Sequence, residues 1–165
     1  STIKVMLAYG DAQREYQAVD RMGDGVLQYA QKLQSTPGKR DGLYWPTNAN
    51  EPRSPIGEYF AQSKSIDGLE RRGFHGYQFR ILTAQGPAAK GGAKSYIQNR
   101  QMTEGFALIA WPVEYGETGV MTFIVNQDGV VYQKNLGPAT NAVVKNIYSF
   151  NPDKTWTQVS EADLK

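Results

Sequence analysis

A chain of 165 residues, 40% hydrophobic and 21% charged, is long enough to bury one real core, and two domains would be cramped. Its 18 basic and 16 acidic residues form no long block of one sign, and the densest basic clusters, Lys39-Arg40 and Arg71-Arg72, are dipeptides, which speaks against a nucleic-acid tail or a polybasic membrane patch. Cysteine is absent, so disulfides, thiolate metal sites and cysteine nucleophiles are excluded, and no run reaches the roughly 18 apolar residues of a membrane span.

Val5, Tyr9, Ala12, Tyr16 and Val19 recur at alternating steps of four and three, while Lys4, Asp11, Arg14, Gln17 and Ala18 lie off that line. The spacing predicts a helix with one buried stripe, ending near Asp20 because Gly23-Asp24-Gly25 combines turn chemistry with poor helix propensity. A second, shorter helix is expected to carry Val26, Tyr29, Ala30 and Leu33 on one face and to end before Ser35-Thr36-Pro37-Gly38. Residues 39–55 contain Pro46, Pro52 and Pro55 together with Asn48 and Asn50, which reads as irregular chain. Loops of that length tend to be functional or disordered. Leu43, Tyr44 and Trp45 are expected to pin it to the surface of the domain. Ser54 then suits a helix cap and Pro55 a first helical position, with Ile56, Tyr59 and Phe60 on the buried side.

From Gly73 to Lys134 the chain is dominated by β-branched and aromatic runs cut by Gly, Pro and Asn/Asp, the pattern of consecutive antiparallel strands. Tyr77, Phe79 and Ile81 alternate with Gln78 and Arg80, predicting a first strand with one buried and one wet face. The run from Phe106 to Trp111 is apolar on both faces and belongs at the centre of the sheet or under a helix. Between them, residues 85–92 read as a flexible loop and residues 95–98 as a short edge strand. Asn126-Gln127-Asp128-Gly129 suits a type I turn closed by glycine, placing a hairpin over residues 120–134. Gly137-Pro138 opens a last helix with Val143, Ile147 and Phe150 in line, and Thr155 to Val159 forms a closing strand. Phe79, Leu108, Phe123 and Val125 are the expected core of the sheet.

Residues that could carry chemistry are few. His75 is the only histidine, and a lone imidazole is a candidate general base or metal ligand. No nucleophile motif lies near it, which favours a structural or exposed role at the start of a strand. The run Asp20 to Leu27 has Asp20 and Asp24 at calcium-loop positions, but Met22 stands at a ligand position and Gln31 where a bidentate Glu is needed, so a turn joining two elements is favoured. The glycines of residues 85–92 lack the spacing of a nucleotide-binding loop. Tyr44, Trp45, Tyr77, Trp111 and Tyr115 are candidates for an aromatic recognition surface, since Trp and Tyr dominate binding hot spots. A competing expectation puts Trp111 and Tyr77 in the core and leaves Tyr44 and Trp45 at the surface. If there is a single site, the loop of residues 39–55 is where it belongs, because no regular element demands those aromatics there.

Four segments carry a family likeness: Tyr9 to Tyr16, Thr36 to Pro46, Gly76 to Pro87, and Gly105 to Gly137. With these motifs the chain closely resembles, over essentially its whole length, a bacterial family catalogued as domain of unknown function 2950. That resemblance implies an exported protein of the periplasm or cell envelope, and a chain that is the C-terminal part of a longer precursor. It implies no activity. More distantly, the order of helix, Gly-Asp-Gly turn, Gly-Tyr-x-Phe, Gly-Phe-Ala and a strand, Asp-Gly, strand unit is similar to the soluble heads of type IV pilin-like proteins. The long apolar helix and processing site of pilins are missing from the sequence, so the likeness implies a fold and not membership of a pilus.

These readings converge on one α+β domain over residues 1–165, in which an N-terminal helix and further helices pack on one antiparallel sheet, pilin-like in order. The function expected is a non-catalytic binding or structural module without a cofactor, facing an envelope protein or polymer. The alternative is a small hydrolase using His75 with Asp41 or Glu104.

Overall fold

Helix α1 runs over Thr2–Gln17, opened by the Ser1 hydroxyl, which accepts from the Lys4 amide at 3.4 Å. The expected stripe is buried through Val5, Tyr9, Ala12 and Tyr16. Val19 is not part of it. The helix stops three residues before Asp20, and Val19 is 54% exposed, because Arg21 folds back and donates to the last carbonyls, Tyr16 O at 3.1 Å and Glu15 O at 3.3 Å. The computed structural model describes residues 1–57 and 74–164.

Nine strands follow: β1 (Tyr77–Leu82), β2 (Ala84–Gln85), β3 (Lys94–Ser95), β4 (Ile97–Gln98), β5 (Gln101–Met102), β6 (Ala107–Pro112), β7 (Thr122–Asn126), β8 (Tyr132–Lys134) and β9 (Thr157–Gln158) among the described residues. Helix α2 (Thr140–Val144) lies between the last two. The main sheet has the order β1-β6-β7-β8-β9 and is antiparallel throughout. By register Phe79, Leu108, Ala110, Phe123 and Val125 share one face, and Arg80, Ile109 and Ile124 share the other. All eight of these except Arg80 are buried, including the four expected sheet residues. Strand β6 is central, as its two-sided apolar pattern requires. The hairpin turn between β7 and β8 is closed by Gly129 N donating to Asn126 O at 3.0 Å. No helix among the described residues is long and apolar enough to cross a membrane.

Several expectations are corrected. The second helix over Val26 to Leu33 does not form: Tyr29 N bonds to Met102 O at 2.8 Å, and Gln34 bridges to Tyr44. Extended pairing has taken the backbone groups that a helix would need. Strand β1 has no wet face, since Gln78 and Arg80 are half-buried, and Arg80 donates to Val144 O at 2.7 Å and Ile147 O at 3.0 Å. Those carbonyls lie at and beyond the end of α2, so one guanidinium joins the sheet to the helix C-terminus. The last helix is a single short turn. Its in-line residues divide, with Val143 exposed, Ile147 half-buried and Phe150 buried as a bridge to Gln85. The segment expected to be a flexible loop is held by Gln85 Nε2, which donates to Lys90 O and Gly92 O at 2.8 Å each. Residues 95–98 do not make one edge strand but contribute to two separate two-stranded ladders flanking a fully buried Tyr96. The helix expected from Ser54 with Tyr59 and Phe60 lies, beyond residue 57, outside the described residues.

One side chain connects these parts. Gln13 is fully buried; its Nε2 donates to Ala30 O at 2.8 Å and to the Tyr9 hydroxyl at 3.0 Å, and its Oε1 accepts from Ala30 N at 2.8 Å. The Tyr9 hydroxyl in turn donates to Ala107 O in β6 at 2.9 Å. The amide of Gln13 therefore stands in for a neighbouring strand and holds residue 30 extended against the helix. Replacing Gln13 by Leu keeps the volume and leaves two buried backbone groups unpaired, at about 1–3 kcal/mol each. Urea denaturation is expected to show a loss of about 3 kcal/mol; a variant within about 0.5 kcal/mol of wild type would refute this role.

Candidate functional site

The loop of residues 39–57 is irregular but not loose. Leu43 N donates to Lys32 O at 3.1 Å, Tyr44 N to Leu33 O at 2.8 Å, Ser35 N to Tyr44 O at 2.8 Å, and Ile56 N to Leu43 O at 3.2 Å. The two passes of chain touch so closely that a Cβ on Gly42 would stand 2.7 Å from Ser35 N, which is why glycine is needed there. The turn between them is organised by Asp41. Its Oδ1 accepts from Thr36 N at 2.7 Å, and its Oδ2 accepts from the Thr36 hydroxyl at 2.7 Å and from Lys32 Nζ at 3.3 Å. Partial burial alone would raise the Asp41 pKa. The bonds from Thr36 and Lys32 outweigh it and hold the carboxyl below its ordinary range.

Trp45 is the second anchor. It is 7% exposed, and the guanidinium groups of Arg21 and Arg40 both lie over its ring, each 5.3 Å from the centroid. Arg40 also donates to Glu51 Oε2 at 3.2 Å, and Glu51 Oε1 accepts from Asn48 N at 3.3 Å. Trp45 thus fastens the loop to the end of α1. The expectation that Trp45 reaches the surface is corrected: two arginines and the core cover it.

Inside this frame is a cleft of about 440 Å³ lined by Tyr44, Trp45, Thr47, Asn48, Ala49, Glu51, Arg53, Ser54 and Gly57. It has the size of a small-ligand site. Tyr44 is half-buried and forms part of its wall. Two buried polar atoms here, Trp45 Nε1 and Ser54 Oγ, have no hydrogen-bond partner among the described residues. Sequence reasoning found the loop but chose its aromatics. The exposed polar neighbours are Asn48 and Arg53, for which no periodicity or motif gave a signal, whereas Ser54 is buried. A second hollow, about 280 Å³, is lined by Lys134, Leu136, Tyr148 and Trp156 among others, and was not anticipated either.

The remaining candidates are placed apart from one another in role. His75 is exposed at the tip of a tight turn, not in a strand: His75 and Gly76 both have positive φ, 52° and 83°, and Phe74 and Tyr77 exchange backbone bonds across them. That is a two-residue hairpin turn of the primed kind. Its imidazole packs edge-on to Phe74 at 4.1 Å and makes no hydrogen bond or ion pair among the described residues, whereas Asp41 serves Thr36 and Lys32, and Glu104 Oε2 accepts from Thr103. Tyr77 is buried and donates to Met121 O at 2.8 Å, and Tyr115, half-buried, donates to Asn135 Oδ1 at 2.8 Å. Trp111 is half-buried beneath the Arg80 guanidinium.

Asp20 and Asp24 shape the turn after α1. Asp20 accepts from the amides of Gly23, Asp24 and Gly25, and Asp24 from Val26 N and from the side chains of Gln28 and Gln101. Both carboxylates are thereby spent on ordering chain. The described residues contain no group of three or more His, Cys, Asp or Glu arranged to hold a metal ion.

Two outcomes test this account of the loop. Because the folded-state pKa of Asp41 is lowered, its contribution is present above the unfolded carboxylate value of about 3.9 and is lost as pH falls through the lower folded value. Asp41→Asn should therefore melt earlier than wild type at neutral pH, with the gap closing on acidification; a gap unchanged by pH would refute it. Trp45→Ala should cost about 3–5 kcal/mol in chemical denaturation, as for other enclosed aromatics. A loss below about 1 kcal/mol would mean that the ring is not an anchor.

Neither a curated protein nor a solved structure matches the chain. A family model described as protein of unknown function (DUF2950) matches residues 1–159. With nearly the whole chain covered, the protein belongs to the DUF2950 family.

Proposed function

We propose that this chain is a non-catalytic binding module of the bacterial cell envelope, with a pilin-like arrangement of helix and sheet, whose ligand occupies the cleft of residues 44–57. One observation carries the reading: the cleft is preformed in a loop that backbone bonds, Asp41 and the Arg21–Trp45–Arg40 contact hold in place. Rigid presentation of open polar groups lowers the ordering cost of binding and is what recognition loops on scaffolds supply. The carboxylates Asp20, Asp24 and Asp41 are committed to structure, the first two to amides and Asp41 to Thr36. The envelope location rests on the likeness to exported family members. The pilin-like label rests on α1 packing against the antiparallel strands β6 and β7.

The three tryptophan indoles, at 45, 111 and 156, give separate reporters of ligand contact. When nitrogen-15-labelled protein is mixed with the small-molecule fraction of a bacterial periplasmic extract, the Trp45 indole resonance is expected to shift while that of Trp111 stays fixed. The bound compound should be recovered with its mass unchanged. A silent Trp45 resonance would remove the cleft as the site, and a changed mass would show turnover.

A further inference from the structure

Among the described tyrosines Tyr148 alone is exposed, at 69%, and its hydroxyl makes no hydrogen bond there. Neither packing nor a polar bond accounts for where this ring stands. The backbone around it is nonetheless fixed. Arg80 holds Ile147 O at 3.0 Å on one side; on the other, Phe150 N donates to Ala84 O at 2.9 Å and Gly86 N to Phe150 O at 2.8 Å. Tyr148 is therefore held out by a pinned chain, which lowers the ordering cost of stacking a ligand on it. Its ring is part of the wall of the hollow of about 280 Å³, and half-buried Trp156 is another part. Lys134 fastens the indole: its Nζ lies 5.8 Å from the ring centroid and donates to the Thr155 hydroxyl at 2.8 Å, which in turn donates to Asp153 Oδ1. The polar lining is of mixed kind. Asn146 is exposed and Ser149 half-buried, neither with a side-chain bond among the described residues; Asn151 spends only its oxygen, on Ala88 N at 2.9 Å, and Asp153 only its Oδ1. Charge is balanced, one ammonium against one carboxylate, which Thr155 and then Lys134 hold below its ordinary range.

Each feature narrows the ligand. An anion would meet Asp153 and a lysine already engaged with Thr155 and Trp156. A purely apolar ligand would cover the polar lining without pairing it. What fits is a neutral molecule whose hydroxyls both donate and accept, and whose C–H groups can lie on an electron-rich ring face. Independently of the reading of the cleft above, we propose that this hollow is a second site, which binds one neutral sugar ring. Tyr148 and Trp156 take its C–H face, and Asn146, Asn151 and Asp153 take its hydroxyls. The volume is near the lower limit of small-ligand sites, about 300 Å³, and so suits a single ring, either a free sugar or one unit of a polysaccharide.

The test titrates nitrogen-15-labelled protein with methyl glucoside, N-acetylglucosamine, the linear tetramer of the latter, glycerol and benzyl alcohol. The Trp156 indole resonance should shift with the sugars while that of Trp45, in the other cleft, stays fixed. A tetramer that binds tighter than its monomer identifies a polysaccharide as the source, and equal binding a free sugar. Tyr148→Ala, at an exposed position, should weaken sugar binding about tenfold with an unchanged melting temperature, the effect of removing one aromatic contact. Tyr148→Phe, which keeps the ring, should bind nearly as wild type does. A Trp156 resonance silent to every sugar up to about 50 mM, well above the Kd of a weak single-ring site, would overturn the proposal. Glycerol or benzyl alcohol binding as tightly as the sugars would overturn it too, and so would a Tyr148→Ala variant that binds like wild type. None of these results bears on the Trp45 cleft, whose own reporter is separate.

Discussion

A buried carboxamide on α1 sets the conditions for everything that follows it in the chain. Gln13 has no access to water, so each of its polar atoms must find a partner within the protein. It finds them in the backbone of Ala30 and in Tyr9, whose hydroxyl reaches β6. Residue 30 can satisfy that demand only in extended form, with both its N–H and C=O turned toward the helix. Once it is extended, Tyr29 can bridge to Met102 on one side and residues 32–35 can pair with Leu43 and Tyr44 further on. The position of the loop of residues 39–57 thus depends in part on one amide of the first helix.

The loop itself shows how a segment without regular structure becomes a scaffold. Its backbone bonds to residues 32–35 are joined by side chains that each satisfy several groups at once. Asp41 closes the turn through Thr36 and Lys32, and Glu51 ties Asn48 to Arg40. Arg21 contributes twice, capping the carbonyls at the end of α1 and covering the Trp45 ring. An exposed ion pair such as Arg40 with Glu51 is worth little by itself in water. Here its value is geometric, since it keeps Arg40 over the indole.

The sheet contributes position more than chemistry. Both its faces are covered at β6 and β7, and Arg80 makes the second face part of the core by binding the end of α2. His75 and the pair Asn99-Arg100 are spent on tight turns with positive φ, where backbone geometry and not reactivity accounts for the site of the side chain.

The α+β class, α1, the central place of β6, the β7–β8 hairpin, the closing strand and the irregularity of residues 39–55 were legible in the residues alone. Each rests on local signals, namely apolar period, turn chemistry and proline content, that a chain carries without its neighbours. The segment of Val26 to Leu33 misled because its spacing fits a helix, while the bonds that keep it extended come from Gln13, seventeen residues earlier, and from Met102, far downstream. Trp45 misled for a like reason: whether a loop aromatic is presented or enclosed depends on Arg21 and Arg40, which no pattern in sequence brings to one ring. The cleft was invisible on the same ground. A cavity and an unpaired donor are properties of what fails to meet in space, and only the folded chain decides which groups have found partners and which have not.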